Sequence, residues 1–358
     1  MEEIEKIRII FVASSLSGGG AERMMINIIN SLSLTKYDIL LINTSYENRS
    51  IQLKKGIKFY NFNKVHANNA FRKLYIKIRY FSPSYVFSTS TNFGYMLVLL
   101  KILLLNKFKI IIRIAVPPSE NSVNNFRARI VHFLSKITFS RIDQFIAQTE
   151  FSKQDMILNY KIKPYKIEVI RNIIDEKFLL EQGNMFIPIE FQNSKYNVVA
   201  AGALYSIKGF DLLIQAFTKI CLKCDNACLY ILGKERYEHG YEKYLQNLIN
   251  ELNLSKKVFL LGYKENPYPY YKNADLFVLS SRTEGFPNVV LESLFFHTPV
   301  IATDCVDFSG IIIEGVNGYI VKKNNINALY EGISMAYCKL RQPFSFILEK
   351  YNYENIFV

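Results

Sequence analysis

ADLFVLSSRTEGFPNVVLES, residues 274–293, is the stretch on which the fold turns. LFVLSS is a short uncharged run of the kind that forms a strand buried on both faces. A polar loop carrying Gly285 follows. Pro287 then suits the first turn of a helix, where its missing N–H costs nothing. NVVLES continues that helix. Strand, loop and helix in this order form part of a βαβ unit, and ligands of such units collect outside the carboxyl ends of the strands.

The same stretch carries two carboxylates. Glu284 falls in the loop, and Glu292 lies inside the helix with its side chain directed back toward the N-terminal end. Both are expected to reach the space above the helix start, where the backbone N–H groups of Asn288 and Val289 are also offered. Helix N-termini hold phosphate, and carboxylates accept hydrogen bonds from sugar hydroxyls. Together they suit a nucleotide sugar. The plainer alternative is a solvated Glu284 and local side chains that only cap the helix.

Outward from this point the alternation continues. YNVVAAGAL, ACLYILG, KVFLLGY and TPVIATD read as strands; KGFDLLIQAFTKIC and EKYLQNLINELN read as helices. The first half repeats the pattern. IRIIFVAS leads through a Gly-rich turn, SGGGAER, into MMINIINSL, and YDILLINTS, SYVFSTS, FKIIIRIAV and QFIAQT are further strands. Strands alternating with helices argue parallel sheets. We therefore expect an α/β chain with two Rossmann-like, doubly wound domains, residues 1–178 and 179–340, facing across a cleft. IEVIRNIIDEKF forms the join, and residues 341–358 are a short tail that reads as the start of a helix returning to the first domain. A length of 358 residues, half of them apolar, fits two domains of ordinary size.

The acidic start, MEEIEKIRIIFVAS, lacks the basic opening of a secretory signal. GYMLVLLKILLL, residues 94–105, is interrupted by Lys101 and falls short of the roughly 18–20 apolar residues of a spanning helix; it reads as a buried helix before a strand. A cytoplasmic protein is the expectation, and disulfides among the five cysteines are not expected. CLKCDNAC, residues 221–228, has no fourth ligand nearby and is not read as a metal site.

The charge is uneven. Residues 1–178 hold 27 Lys and Arg against 13 Asp and Glu, a net of +14, whereas residues 179–358 balance at −1. No acidic residue occurs between Glu47 and Glu120, and 13 basic residues fall in that window. Such a patch attracts an anionic bilayer or another polyanion; a solvated basic face is the alternative. No nucleic-acid-binding motif accompanies it.

The stretch EGFPNVVLE resembles the E-x7-E motif of the family-four retaining glycosyltransferases, which have the GT-B fold. SLSGGGAER resembles their first glycine loop, AGALYSIKGFDLLIQAF their G-R-L…K-G-F motif, and IEVIRNIID their hinge. KVFLLGY, NPYPYYKNADLFVLSS, TPVIATD and GVNGYIV keep the family's order, so the resemblance covers nearly the whole chain. It implies that Glu284 binds donor-sugar hydroxyls, that Glu292 holds the ribose, and that Lys208 neutralises the donor diphosphate. Backbone at Gly202, Gly285, Phe286, Asn288 and Val289 would complete the donor site. Gly18, Gly19 and Gly20 would let the first domain's backbone approach the reacting centre, which a Cβ would obstruct.

The implied reaction moves a hexose or N-acetylhexosamine, with retention, from a nucleotide-diphosphate sugar, UDP being the expected nucleotide. The acceptor would be a saccharide hydroxyl, lipid-linked, in bacterial capsule or lipopolysaccharide assembly at the inner face of the membrane. No metal or other cofactor is expected. The sequence departs from the family at two places. Ala203 stands where an arginine is usual, with Arg282 as a candidate replacement. The acceptor-side histidine is absent from IIRIAVPPSENS, leaving Arg113, Ser119, Glu120 and Asn121 as local polar candidates. His66, His132, His239 and His297 fit no catalytic arrangement.

These departures motivate a rival reading: a catalytically weak relative that binds a nucleotide sugar or scaffolds an assembly. A dinucleotide oxidoreductase leaves the Glu284 cluster unexplained, and its third glycine is replaced by Arg23. A sugar-nucleotide epimerase or a phosphorylase of the same architecture is a further alternative.

Overall fold

The computed structural model describes the chain except residues 1–4, 15, 17–19, 45–52, 63–66, 106, 115–132, 135, 173, 194–195, 237, 340–343, 347–350 and 358. It divides into two compact units, Met1–Ile173 with Lys350–Val358, and Ile174–Glu349.

The first unit holds seven parallel strands: β1 (Ile7–Ala13), β2 (Tyr37–Asn43), β3 (Lys58–Asn61), β4 (Tyr85–Ser88), β5 (Lys109–Ile114), β6 (Gln144–Ala147) and β7 (Ile167–Val169). Their order is β3-β2-β1-β4-β5-β6-β7. Helices α1 (Gly20–Ser31), α2 (Ala67–Phe81), α3 (Gly94–Leu103) and α4 (Glu150–Tyr160) belong to this unit. Alternate strand residues feed two cores. Ile10, Val12, Ile110 and Ile112 pack with α2, α3 and α4 on one face; Ile9, Phe11 and Ile111 pack with α1 on the other.

The chain's last turn, Tyr353–Phe357, completes that second core. Phe357 is 1 % exposed. Its ring stands 5.5 Å from Tyr85, 6.0 Å from Phe11 and 6.1 Å from Tyr37 in edge-on contacts. Two polar ties accompany it: the Tyr351 hydroxyl donates to Glu168 at 2.7 Å, and the Ser33 backbone N–H donates to Glu354 at 3.2 Å. The end that reads as the start of a helix is thus a 3₁₀ turn seated in the first unit.

The second unit has six parallel strands, β8 (Tyr196–Ala201), β9 (Ala227–Leu232), β10 (Val258–Gly262), β11 (Leu276–Leu279), β12 (Val300–Thr303) and β13 (Gly318–Val321), in the order β10-β9-β8-β11-β12-β13. Its helices are α5 (Glu176–Gly183), α6 (Phe210–Lys223), α7 (Tyr241–Glu251), α8 (Tyr268–Asn273), α9 (Asn288–Phe295) and α10 (Ile326–Lys339). Helix α6 buries Phe210, Leu213, Ile214, Phe217 and Ile220, the i, i+3, i+4, i+7 stripe of an amphipathic helix.

The strand order reverses between β1 and β4 in the first sheet and between β8 and β11 in the second. At such a point the following loops diverge to opposite sides and leave a crevice at the carboxyl ends of the strands. In the second sheet, β8 runs into Gly202 and Lys208, and β11 runs into Ser281 and Glu284.

Candidate active site

The second unit's switch point holds a cation–carboxylate pair. Lys208 ends a 3₁₀ turn, Ser206–Lys208, and Glu284 sits in the loop after β11. Lys208 Nζ lies 2.5 Å from Glu284 Oε1, with the two side chains only 18 % and 12 % exposed. The Ser281 hydroxyl donates to the same carboxylate oxygen at 2.6 Å. Burial alone would lower the Lys208 pKa, but the charge and hydrogen bond of Glu284 outweigh it and hold the ammonium above its ordinary value. The site therefore keeps a fixed positive charge at neutral pH.

Backbone packing fixes this pair. Gly209 follows Lys208 with φ +64°, and a Cβ there would fall 2.1 Å from the Ser280 carbonyl oxygen. Only glycine allows both the left-handed conformation and the close approach of the two loops. The Ser280 hydroxyl donates to the Lys208 carbonyl at 2.9 Å, and the Arg282 N–H donates to the Ile207 carbonyl at 2.7 Å. Gly233, at φ +159°, makes room for the Gly202 carbonyl, which a Cβ would meet at 1.8 Å.

Arg282 is committed elsewhere. Its guanidinium grips Asp211 through two hydrogen bonds of 3.0 and 2.8 Å and donates to the Ser206 carbonyl. The Tyr241 hydroxyl donates to Asp211 at 3.1 Å. Burial pushes the Asp211 pKa up, and the Arg282 hydrogen bond and charge more than reverse this, leaving it below the usual carboxylate range. Arg282 thus braces the turn that carries Lys208.

Helix α9 opens at Asn288 with Pro287 as its N-cap, and no side chain caps it. Gly285 is buried, Phe286 and Val289 are partly buried against the core, and Glu292 is 3 % exposed inside the helix. Cys305 lies close enough to feel both Lys208 and Glu284, and burial pushes its thiol to about 12, so it is an inert neutral neighbour at pH 7. The hydrogen-bonding roles of Ser281 and Asp211 are not legible in the sequence, although Ser281 lies three residues from its partner Glu284 and Asp211 three residues from Lys208.

In the first unit Gly20 opens α1, while Gly18, Gly19, Ser119, Glu120 and Asn121 lie outside the described residues. Arg113 ends up 1 % exposed near the carboxyl end of β5. It donates to Asn172, and the Gln148 carboxamide, turned with its oxygen inward, accepts from both terminal nitrogens at 3.0 Å. Burial lowers its pKa to about 10. Among the described residues no group of three His, Cys, Asp or Glu side chains is arranged to hold a metal ion, CLKCDNAC included.

Two doubly wound parallel units, the second bearing this pair at its switch point, are the architecture of GT-B glycosyltransferases. A glycosyltransferase from Rickettsia africae superposes with a TM-score of 0.76 at 21 % identity, covering 94 % of this chain and 89 % of that one. Anabaena HepE in complex with UDP gives 0.74 at 17 % identity, covering 93 % and 90 %. In sequence, the chain is 29 % identical over 336 residues to the N-acetylgalactosamine-N,N'-diacetylbacillosaminyl-diphospho-undecaprenol 4-alpha-N-acetylgalactosaminyltransferase of Campylobacter jejuni, covering 89 % of this chain and 87 % of the relative. The capsular polysaccharide biosynthesis glycosyltransferase CapM of Staphylococcus aureus is 27 % identical over 220 residues, 59 % of this chain and 57 % of that one. The family model described as Glycosyl transferases group 1 matches residues 182–337. The chain has the GT-B fold, and residues 182–337 of it match a glycosyltransferase family.

Proposed function

We propose that the protein transfers a hexose or N-acetylhexosamine, with retention of configuration, from a UDP-linked donor to a hydroxyl of a lipid-diphosphate-linked saccharide during bacterial surface-polysaccharide assembly. The observation that carries this reading is the largely buried Lys208–Glu284 pair at the carboxyl end of the second sheet. As the sugar–phosphate bond breaks, the leaving diphosphate gains negative charge. Lys208 and the amides at Phe286, Asn288 and Val289 are preorganised donors for that charge. Glu284 accepts hydrogen bonds from the sugar hydroxyls once the diphosphate draws Lys208 toward itself. Glu292 holds the ribose.

In this reading the second unit holds the donor and the first, residues 1–178, takes the acceptor. Positive charge comes from the protein itself, so no metal is needed. The acceptor hydroxyl attacks on the face from which the phosphate leaves, and a phosphate oxygen takes its proton; no protein nucleophile is assigned. The acceptor class rests on the Campylobacter relative, whose name specifies a diphospho-undecaprenol-linked saccharide. UDP is supported by the HepE complex. The excess of basic over acidic residues in the first half supports work at the inner, anionic membrane surface.

A second reading is favoured by Arg282. Because it is bound to Asp211, the guanidinium absent at Ala203 is not replaced from this side. A slow enzyme, or a nucleotide-sugar-binding scaffold subunit, would fit. The test is thermal unfolding with UDP, GDP, ADP and NADH, followed by turnover of UDP-sugars on an undecaprenyl-diphosphate-linked acceptor. A ligand at about 100 times its Kd stabilises the fold by roughly 2.7 kcal/mol. A UDP shift that Glu292→Ala removes, with turnover, supports the transferase; the same shift without turnover supports the scaffold; a shift with NADH alone refutes both.

A further inference from the structure

Helix α3 is apolar all round except at Lys101, yet only one side is covered. Met96, Leu97, Val98 and Leu100 are buried against the sheet. Leu99, Ile102 and Leu103, spaced i, i+3, i+4, point outward at 49 %, 46 % and 53 % exposure, and Leu105 beyond the helix is 81 % exposed. A helix that is hydrophobic all round is ordinarily buried on all sides. The next elements on the same face of the sheet extend the pattern. Ile76 and Tyr80 project from α2, and Phe133 and Ile137 from the helical residues before the Phe139–Arg141 turn.

Charge accompanies this apolar surface with one sign. Arg72, Lys73 and Arg79 are exposed on α2, Lys107 follows α3, and Lys136 and Arg141 flank the next turn. None of these six forms an ion pair among the described residues. A shallow cleft of about 500 Å³ lies against α3, lined by Val98 and Ile102 with Lys101 and Arg141. Lys101 is held by both oxygens of Asp143 at 2.7 Å, so Arg141 is the cation there that an incoming anion would meet.

We infer that this face, formed by α2, α3 and residues 133–134 and 136–141, docks on an anionic bilayer, with Leu99, Ile102 and Leu103 entering the boundary between headgroups and acyl chains and Arg141 taking a lipid phosphate in the cleft. Aliphatic side chains that insert, ringed by cations that meet anionic headgroups, are the signature of an interfacial helix. A second copy of the chain fits worse, since a twofold contact would set like charges against one another. The inference makes the membrane reading above specific to one surface and needs neither the donor site nor turnover.

Flotation of the full chain tests it, with vesicles of one part phosphatidylglycerol to two parts phosphatidylcholine and with phosphatidylcholine alone. Binding is expected on the anionic vesicles, weaker on the neutral ones, and falling as salt is raised. Leu99→Gln/Ile102→Gln/Leu103→Gln lowers the bound-to-free ratio by about tenfold or more. Arg72→Glu/Arg79→Glu/Arg141→Glu removes the preference for anionic lipid. Both variants alter exposed side chains of the first unit, so their unfolding midpoints and any UDP-induced shift should match the parent, which separates a failed docking face from a failed transferase assignment. Equal binding to both vesicle types, no binding, unchanged binding by folded variants, or self-association that the glutamine variant abolishes would each overturn the proposal.

Discussion

Breaking the Lys208–Glu284 pair in steps separates what it does for the fold from what it does for the reaction. At 18 % and 12 % exposure and 2.5 Å, both groups have given up most of their water. Lys208→Met leaves Glu284 as a largely buried carboxylate held by Ser281 without its cation, a loss of about 3–5 kcal/mol. Glu284→Gln keeps an acceptor for Ser281 and leaves the ammonium less compensated, so its cost falls in the same range or below. Combining the two removes both charges, and the double variant should regain most of what Lys208→Met lost. Chemical denaturation gives these numbers directly. Turnover must behave differently, because a neutral pair cannot stabilise a leaving diphosphate. Losing such a preorganised group costs roughly 10²–10³ in kcat, and the double variant should stay that low despite its recovered stability. A double variant that is stable and works within tenfold of the parent would refute the assignment of Lys208 to the leaving group. A Lys208→Met protein as stable as the parent would refute the burial argument.

Gly209→Ala should destabilise by at least 1–2 kcal/mol from the left-handed φ alone, and by more because the new Cβ meets the Ser280 carbonyl; an unfolding midpoint equal to the parent's would contradict the packing described. Phe357→Ala should cost about 3–5 kcal/mol, since four aromatic rings surround that side chain, and its effect should appear in the first unit's unfolding while UDP binding to the folded protein persists. The folded pKa of Asp211 lies below its ordinary 3.8; its contribution is therefore full above that value and is lost as pH falls through the folded pKa, so the stability gap between parent and Arg282→Ala should narrow in acid. The folded pKa of Lys208 lies above its ordinary 10.5; its contribution is complete below that value and declines as pH rises past it, a decline that Lys208→Met should not show.

The alternation of uncharged runs with 3.6-period stretches was enough to state two parallel α/β units. A strand buried on both faces cannot alternate polar and apolar residues, and a covering helix must show one apolar stripe, so both signals are local. EGFPNVVLE was legible for the same reason: its loop, proline and helix lie within ten residues. Lys208 lies 76 residues before Glu284 in the chain, and its place came from resemblance to a family motif, not from spacing. What the sequence could not supply is the work of side chains brought together across strands. Asp211 captures Arg282, 71 residues further on, only because β8 and β11 are neighbours in the sheet, a pairing that no local pattern announces. Arg113, a polar candidate by type, became a buried brace for Gln148 and Asn172 because three strand ends converge on it. The tail's aromatic residues are composition until Phe357 enters the second core of the first unit. Hydrophobic periodicity records which residues leave water; which partners they meet is set by strand order, and that is decided only when the sheet closes around them.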